Sequence, residues 1–195
     1  MASFPEKSHL RSRAILAAGS SALAVFLLFA VSATPAEATR GLVAPAKKCK
    51  NQNGYSDETA SRKSMICLTN YARNKKGLKR YMVSSELTRS ATKKAGDILR
   101  CDDFSHEACG RKFTYWFDKA GYTDFPGWSA GENIAWGSGS FGNSRQIFRA
   151  WLNSPGHRAA ILSQDYREIG IGVTNGELQG DLGARIWVQH FGRRG

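Results

Sequence analysis

The chain has 195 residues and a formal net charge of +12 at pH 7. It contains no P-loop, nucleophile elbow, HExxH or CxxC motif. It also lacks the motif of any known nucleic-acid reader, so specific nucleic-acid binding has no support. If the protein is exported, its charge suits anionic envelope polymers or acidic lipid headgroups. The simpler interpretation is that the basic residues lie on solvated helix faces and keep the protein soluble.

Residues 1–38 are predicted to form a secretory signal peptide. Basic residues open the segment, an apolar run covers residues 14–33, and residues 36–38 give an A-x-A cleavage site. Residues 31–33 offer a competing site. An uncleaved membrane anchor is the alternative, because the run is about long enough to span a bilayer. We expect the signal peptide to be cleaved, which leaves an extracellular mature protein without a membrane span. Its length suits one ordinary domain with a proper hydrophobic core.

Export favours disulfide bonds among the four cysteines of the mature part. Four cysteines allow three pairings, and the sequence alone does not choose among them. Proximity favours Cys101–Cys109, which would close a small loop around His106. Cys49–Cys67 would then join the mature N-terminus to the first helix. The spacing lacks the paired CxxC units of zinc sites.

The mature chain begins with a polar lead-in at residues 39–57, and the folded domain is predicted at residues 58–195. Acidic residues at the start, apolar residues at helical spacing and a glycine at the end predict a helix over about residues 57–77. A second helix is predicted over about residues 84–99, with a serine as its cap.

Short elements separated by turns are predicted in the middle of the chain. Residues 113–120 are typical of a short aromatic helix, and residues 131–135 of a short extended piece. Residues 137–142 are rich in Gly and Ser and are predicted to form a flexible loop. A third long helix is predicted over residues 143–153, where apolar side chains four residues apart stack.

The last third of the chain has the alternating period of β-strands. Residues 169–173 read Ile-Gly-Ile-Gly-Val, and residues 184–191 alternate again. Gly170 and Gly172 leave one face of the first strand bare, which predicts that a helix or backbone packs close against it. Helices followed by an antiparallel hairpin predict an α+β layered domain.

Imidazole and carboxylate groups occur in three turn-rich motifs, and these groups are what a divalent metal or a proton-transfer site uses. The candidate catalytic or metal-ligating residues are His106, Glu132 and His157, in Phe-Ser-His at 104–106, Gly-Glu-Asn-Ile-Ala at 131–135 and Ser-Pro-Gly-His-Arg at 154–158.

Each candidate also has a structural interpretation. Ser154 as an N-cap before Pro is good helix-start chemistry, and a helix N-terminus keeps His157 neutral. A disulfide around His106 would hold its ring in place, for stability alone or for a ligand site. Gly131 is expected to take a tight or positive-φ conformation that aims Glu132 inward. That carboxylate can equally be buried and satisfied by backbone N–H groups.

His190 is the third histidine of the mature chain. The alternation of the last strand places it on the same face as Ile186 and Val188. We interpret it as a structural or exposed histidine at a strand end. A Ser-His-Asp triad is not expected, because Ser105 has no acid–base partner beyond its neighbour in sequence.

Taken in order, these motifs resemble the CAP superfamily of cysteine-rich secretory proteins, insect venom antigens and plant pathogenesis-related proteins. The resemblance is to the bacterial branch, whose secreted members carry an SCP domain, and it runs over about residues 60–192. The matching segments are CLTNYARN at 67–74, FSH at 104–106, AGY at 120–122, GENIA at 131–135, WLNSPGHR at 151–158, IGIGV at 169–173 and WVQHFG at 187–192.

The resemblance implies an α-β-α sandwich with an antiparallel central sheet and a central cleft. In the family, two histidines and acidic residues line this cleft and can bind a divalent cation, often zinc. His106, Glu132 and His157 match those positions, whereas the second acidic residue of the eukaryotic site falls at Ser154. The resemblance therefore implies two histidine ligands, with Glu132 acting directly or through water, in an open and weak site.

Three functions are compatible with this resemblance. The first is a secreted module of no established enzymatic activity that binds a lipid, a small apolar ligand or an anionic envelope polymer. The second is an interaction protein of the cell surface in which the polar cluster only holds the cleft together. The alternative to both is a metal-dependent extracellular hydrolase using His106, Glu132 and His157, with Glu132 as general base. The missing carboxylate at Ser154 counts against the hydrolase.

Overall fold

The computed structural model describes Thr39 and residues 41–195. The predicted signal peptide and both of its candidate cleavage sites lie outside these residues. Within them, no helix combines the length and the apolar character needed to cross a bilayer.

Five α-helices and four β-strands follow one another in the described part of the chain. The helices are α1 (Glu58–Lys75), α2 (Ser85–Arg100), α3 (Tyr115–Lys119), α4 (Ser144–Asn153) and α5 (Pro155–Leu162). The strands are β1 (Met82–Val83), β2 (Ser129–Ser138), β3 (Glu168–Leu178) and β4 (Asp181–Arg193). The predicted order, helices first and a long hairpin last, is confirmed.

Side-chain caps fix where the two long helices begin. The Asp57 carboxylate accepts a hydrogen bond from the backbone N–H of Ala60 at 2.9 Å, ahead of α1. The Ser84 hydroxyl accepts one from the backbone N–H of Leu87 at 3.1 Å, ahead of α2. Each cap satisfies a donor that the helix leaves unpaired, and is worth about 1 kcal/mol.

The four strands form one mixed sheet in the order β1-β3-β4-β2. β4 is antiparallel to both β2 and β3, whereas β1 is parallel to β3. The antiparallel sheet that the resemblance implied is therefore wrong for β1. The reason lies in the connections, because helices separate β1 from β3 while a two-residue turn joins β3 to β4.

Helix α2 packs against the bare face of β3, as the two strand glycines predicted. A Cβ atom added at Gly170 would lie 2.1 Å from the carbonyl carbon of Leu87. One added at Gly172 would lie 2.2 Å from the carbonyl oxygen of Ala91. Only glycine allows the helix backbone to approach the strand this closely.

The opposite face of the sheet carries the larger hydrophobic core. There Ile169, Ile171 and Val173 of β3 pack with Met65 of α1 and Trp151 of α4 in one cluster of buried side chains. Helices thus cover both faces of the sheet, which makes a three-layer α-β-α arrangement.

Two predictions for the middle of the chain need correction. The flexible loop predicted at residues 137–142 is instead the end of β2 followed by a 3₁₀ turn, Gly139–Gly142. A Cβ atom at Gly142 would lie 2.5 Å from the carbonyl oxygen of Gly137, so these glycines allow a close backbone approach. Ser154 does occupy the N-cap of α5, but its side chain forms no capping hydrogen bond.

The disulfides pair Cys49 with Cys67 and Cys101 with Cys109, the arrangement that proximity favoured. The first joins the lead-in to α1. The second closes the segment that follows α2. No cysteine in the described residues is left free.

Candidate functional site

Glu132 lies at the centre of a buried polar cluster on the α2 side of the sheet. In the strand register it stands on β2 directly opposite His190 of β4. Its Oε2 is 2.7 Å from Nε2 of His190, and its Oε1 is 2.6 Å from Nδ1 of His106. The carboxylate is 1% exposed. Both of its oxygens are therefore engaged by imidazoles, one from the sheet and one from the loop after α2.

Gly131 has a different role from the predicted one. It is an ordinary strand residue and is not among the glycines with positive φ. A Cβ atom there would lie 2.6 Å from the hydroxyl of Tyr166, which donates a hydrogen bond to the carbonyl of Ala130 at 3.2 Å. Glycine is required for this close passage, and the alternation of β2 is what aims Glu132 inward.

The surroundings of Glu132 keep it ionised. Burial raises the pKa of this carboxyl, but the hydrogen bonds from His106 and His190, with the positive charge of Lys94, outweigh burial and lower the pKa to about 2. At neutral pH the cluster therefore contains a fixed buried anion.

His190 is buried, with 1% of its side chain exposed, so an exposed histidine at this position is wrong and a structural one is right. Its ring stacks on Phe117, with centroids 4.1 Å apart. Burial lowers the pKa of His190 more strongly than the hydrogen bond to Glu132 raises it. The neutral ring donates its Nε2–H to Glu132, and Nδ1 is buried without a hydrogen-bond partner among the described residues.

Sequence reasoning did not connect His190 with Glu132, although a signal was available. The alternation of the last strand places His190 on the same face as Ile186 and Val188, and both of these are fully buried. A histidine on such a face needs a polar partner, because burying an unpaired polar group costs free energy.

Lys94 of α2 was also missed, since it reads as one more surface charge beside Lys93. It is 4% exposed, and its Nζ donates a hydrogen bond to the backbone carbonyl of His106 at 2.6 Å. Burial lowers the pKa of Lys94, and the charge of Glu132 opposes that shift. Helical spacing could have indicated that Lys94 is buried, because it lies three residues after the buried Ala91 and so on the same side of α2.

A second buried carboxylate, Asp97 of α2, holds the segment that carries His106. It is 1% exposed and accepts hydrogen bonds from Nε1 of Trp116 at 2.7 Å and from Arg111 at 2.5 Å. Arg100 adds an ion pair at 2.7 Å. Together with the Cys101–Cys109 disulfide, these contacts fasten both ends of the loop, so His106 is held in a fixed place.

His157 is close to the cluster but is not bonded to it. It lies near the start of α5, and its backbone carbonyl accepts a hydrogen bond from the side chain of Asn133 at 3.1 Å. Burial lowers the pKa of His157, and the charge of His106 lowers it further. The structure thus joins His106 to Glu132 directly, whereas the His157 ring hydrogen-bonds to no described residue.

The metal site that the resemblance implied would depend mainly on its two histidine rings. Both Glu132 oxygens already accept hydrogen bonds, and Ser154 adds no carboxylate. The part of the chain that the structure describes holds no group of three or more His, Cys, Asp or Glu side chains placed to bind a metal ion. Ligation of zinc by His106, His157 and Glu132 stays a prediction.

The cluster meets solvent through His106, whose side chain is 52% exposed. Its Nδ1 faces Glu132, so Nε2 is the ring nitrogen left for another partner. A carboxylate whose pKa is about 2 removes protons poorly at neutral pH. The geometry is therefore suited to holding a loop and presenting an imidazole, and poorly suited to Glu132 itself acting as a general base.

Sequence relatives occur in Bacillus subtilis. The uncharacterized protein YkwD is 33% identical over 138 residues, which are 70% of this chain and 48% of YkwD. The uncharacterized membrane protein YlbC is 32% identical over 136 residues, which are 69% of this chain and 37% of YlbC. This chain thus spans half or less of the length of these relatives.

Solved bacterial structures share the fold. An extracellular protein containing an SCP domain from Bacillus anthracis matches 70% of this chain and 41% of its own, with a TM-score of 0.58 and 24% identity. An outer surface protein of Borrelia burgdorferi matches 73% of this chain and 99% of its own, with a TM-score of 0.59 and 23% identity. The Borrelia chain therefore consists almost entirely of the shared fold.

The family described as the cysteine-rich secretory protein family, CAP, matches residues 67–191. This range contains the whole Glu132 cluster and both faces of the sheet. The match covers more than half of the chain, and we conclude that this chain is a bacterial-type member of the cysteine-rich secretory protein (CAP) family.

Proposed function

We propose that this chain is an exported, non-catalytic binding module whose partner is an anionic component of the cell envelope, either a lipid or a polymer. The observation that carries the proposal is the buried carboxylate of Glu132, which two imidazoles hold in place. Both of its oxygens are bonded to imidazoles within 2.7 Å, and it stays ionised far below neutral pH. The most reactive group of the cluster is thereby committed to structure.

Three features support export. The sequence opens with a signal-peptide pattern, and the two disulfides suit an oxidising compartment. The structural neighbours are described as an extracellular protein and an outer surface protein. The basic charge of the chain then suits an anionic partner.

No observation favours the hydrolase alternative. A general base needs a free lone pair within reach of water and a pKa near the working pH. Glu132 has neither, because its carboxylate is buried away from water and its pKa is about 2. The exposed ring of His106 and the partly buried His157 serve better as contact groups.

The test uses residues 39–195, which contain both disulfides and every described core residue. Calorimetric titration with zinc tests whether the His106, Glu132 and His157 cluster is a metal site. Absence of saturable binding supports the non-catalytic proposal. Saturable binding that disappears in the His106→Ala/His157→Ala variant would establish a metal site and favour the hydrolase alternative over this proposal.

A second arm tests the partner class. The same protein is sedimented with phosphatidylglycerol vesicles and, separately, chromatographed with polyphosphate, a soluble polyanion. Binding to at least one of them supports an anionic partner. Binding to neither contradicts it.

A further inference from the structure

Four large apolar side chains are exposed at one end of the sheet. Met82 and Val83, which form β1, are 64% and 58% exposed. Phe125 and Trp128, in the turn before β2, are 51% and 38% exposed. We call these four residues the apolar rim. Soluble proteins seldom cluster exposed side chains of this kind without a partner.

The strand register places both parts of the rim at the same end. Met82 stands opposite Glu168, which stands opposite Gly192, which stands opposite Ala130. Trp128 comes two residues before Ala130. Three strand spacings separate β1 from β2, so the rim is about 14 Å wide across the sheet.

Arg194 joins the two parts of the rim. Its guanidinium lies 5.4 Å from the centroid of the Phe125 ring, and it donates a hydrogen bond to Glu168 at 2.8 Å. Glu168 is the register partner of Met82. The Arg194–Glu168 ion pair therefore lies between the two parts of the rim.

Exposed cations border the rim. The segment 59–85, which leads into β1, contains no acidic residue. Among the described residues none of the four bordering cations forms an ion pair with a carboxylate. They are Lys79, Arg80, Arg167 and Arg193, and all four are exposed.

Two of the four acidic residues at this end share one arginine. Glu168 and Glu86 both pair with Arg194, at 2.8 and 3.6 Å. Asp124 and Asp165 are the acidic neighbours outside that network. With Arg194 and the four bordering cations there are five positive charges against the four carboxylates Glu86, Glu168, Asp124 and Asp165, so the end carries a net charge of about +1.

We propose that the apolar rim and its bordering cations dock on the surface of an anionic lipid bilayer. Aromatic side chains beside Lys and Arg match the boundary between headgroups and acyl chains. A soluble polyanion would pair with the cations but would leave the rim in water, so lipid is the favoured partner. The inference rests on the proposed function and names the lipid as its anionic partner.

The other end of the sheet does not have this combination. Phe141 and Leu182 are exposed there as well, at 73% and 79%. The hairpin at that end carries the acidic residues Glu177 and Asp181 and no exposed cation over residues 176–184. Charge thus distinguishes two ends that both expose apolar side chains, and the acidic end supplies a matched control.

The experiment is sedimentation of residues 39–195 with vesicles of phosphatidylglycerol and phosphatidylcholine, and with phosphatidylcholine alone. We expect binding to the anionic vesicles and at least tenfold weaker binding by Phe125→Ser/Trp128→Ser, because the rim loses its insertable area. The control Phe141→Ser/Leu182→Ser is expected to bind like the wild type.

Charge is tested separately. Lys79→Gln/Arg80→Gln is expected to weaken binding to the anionic vesicles about 25-fold, at about fivefold per cation. Lys47→Gln/Lys48→Gln removes the same charge from the exposed lead-in and is expected to change binding far less. Urea unfolding midpoints check that each variant remains folded.

The outcomes separate the two proposals. Binding of the wild type to polyphosphate but not to anionic vesicles keeps the proposed function and overturns the bilayer inference. Vesicle binding that the rim variant retains unchanged also overturns the rim as the docking surface. Binding to neither probe overturns both.

Discussion

Replacing Glu132 by glutamine removes the charge on which two imidazoles are held. Glutamine keeps the shape and one acceptor oxygen, but its amide nitrogen forces either His106 or His190 to change tautomer or lose its bond. The carboxyl pKa falls from 4.5 to about 2 on folding. At about 1.4 kcal/mol per pH unit, this corresponds to about 3 kcal/mol of stability at neutral pH.

We therefore expect Glu132→Gln to lower the free energy of unfolding by about 2–4 kcal/mol at neutral pH. The assay is urea unfolding of residues 39–195 with the disulfides intact, followed by near-UV circular dichroism. Glu177→Gln, at an exposed position of β3, is the matched control and should change stability by less than about 0.5 kcal/mol.

The pH dependence gives a second check on Glu132. Its pKa is lower in the folded state than in the unfolded chain, so its stabilisation is complete above pH 4.5 and is lost as the pH falls toward 2. The difference in unfolding free energy between the wild type and Glu132→Gln should therefore decrease as the pH falls from 4.5 toward 2. Two results would refute the idea that two imidazoles hold Glu132 as a buried anion. One is a loss of unfolding free energy below about 1 kcal/mol at neutral pH, and the other is a loss that does not change as the pH is lowered.

Three further predictions concern the framework around the site. Gly172→Ala places a Cβ 2.2 Å from the backbone of α2 and should lower the free energy of unfolding by about 2 kcal/mol or more, as measured by urea unfolding. Gly96→Ala, in open space on α2, should raise it by about 0.5–1 kcal/mol, and equal effects of the two variants would contradict this packing. Nitrogen-15 NMR of His190 should show a neutral ring protonated on Nε2, and titration at or above pH 6.5 would contradict its burial. Replacing both Cys101 and Cys109 by serine should lower the free energy of unfolding by about 2–3 kcal/mol. An unchanged unfolding midpoint would contradict a stabilising role for this disulfide.

Local sequence signals were enough for most of the framework. Capping residues and helical spacing located α1 and α2, and alternation located β3 and β4. Gly170 and Gly172 predicted the close approach of α2, because a glycine at every second position leaves one strand face without side chains. These signals act between residues that are near in sequence, so the chain reveals them without its fold.

The site was predicted in part. The motifs identified His106 and Glu132, and the structure joins them at 2.6 Å. They also indicated His157, whose ring bonds to neither. Sequence reasoning treated His190 and Lys94 separately from Glu132, since one looked like a strand-end residue and the other like a surface charge.

The sequence by itself thus determined the helices, the hairpin, the family and two members of the cluster. Only the tertiary structure decided the mixed sheet, the partners of Glu132 and the placing of Met82 and Phe125 at one end of the sheet. The physical reason is distance along the chain. His190 is 58 residues from Glu132 in sequence, and only the register of β2 on β4 sets the two side chains opposite each other. No local pattern encodes that register, which depends on how the whole sheet packs between its helices.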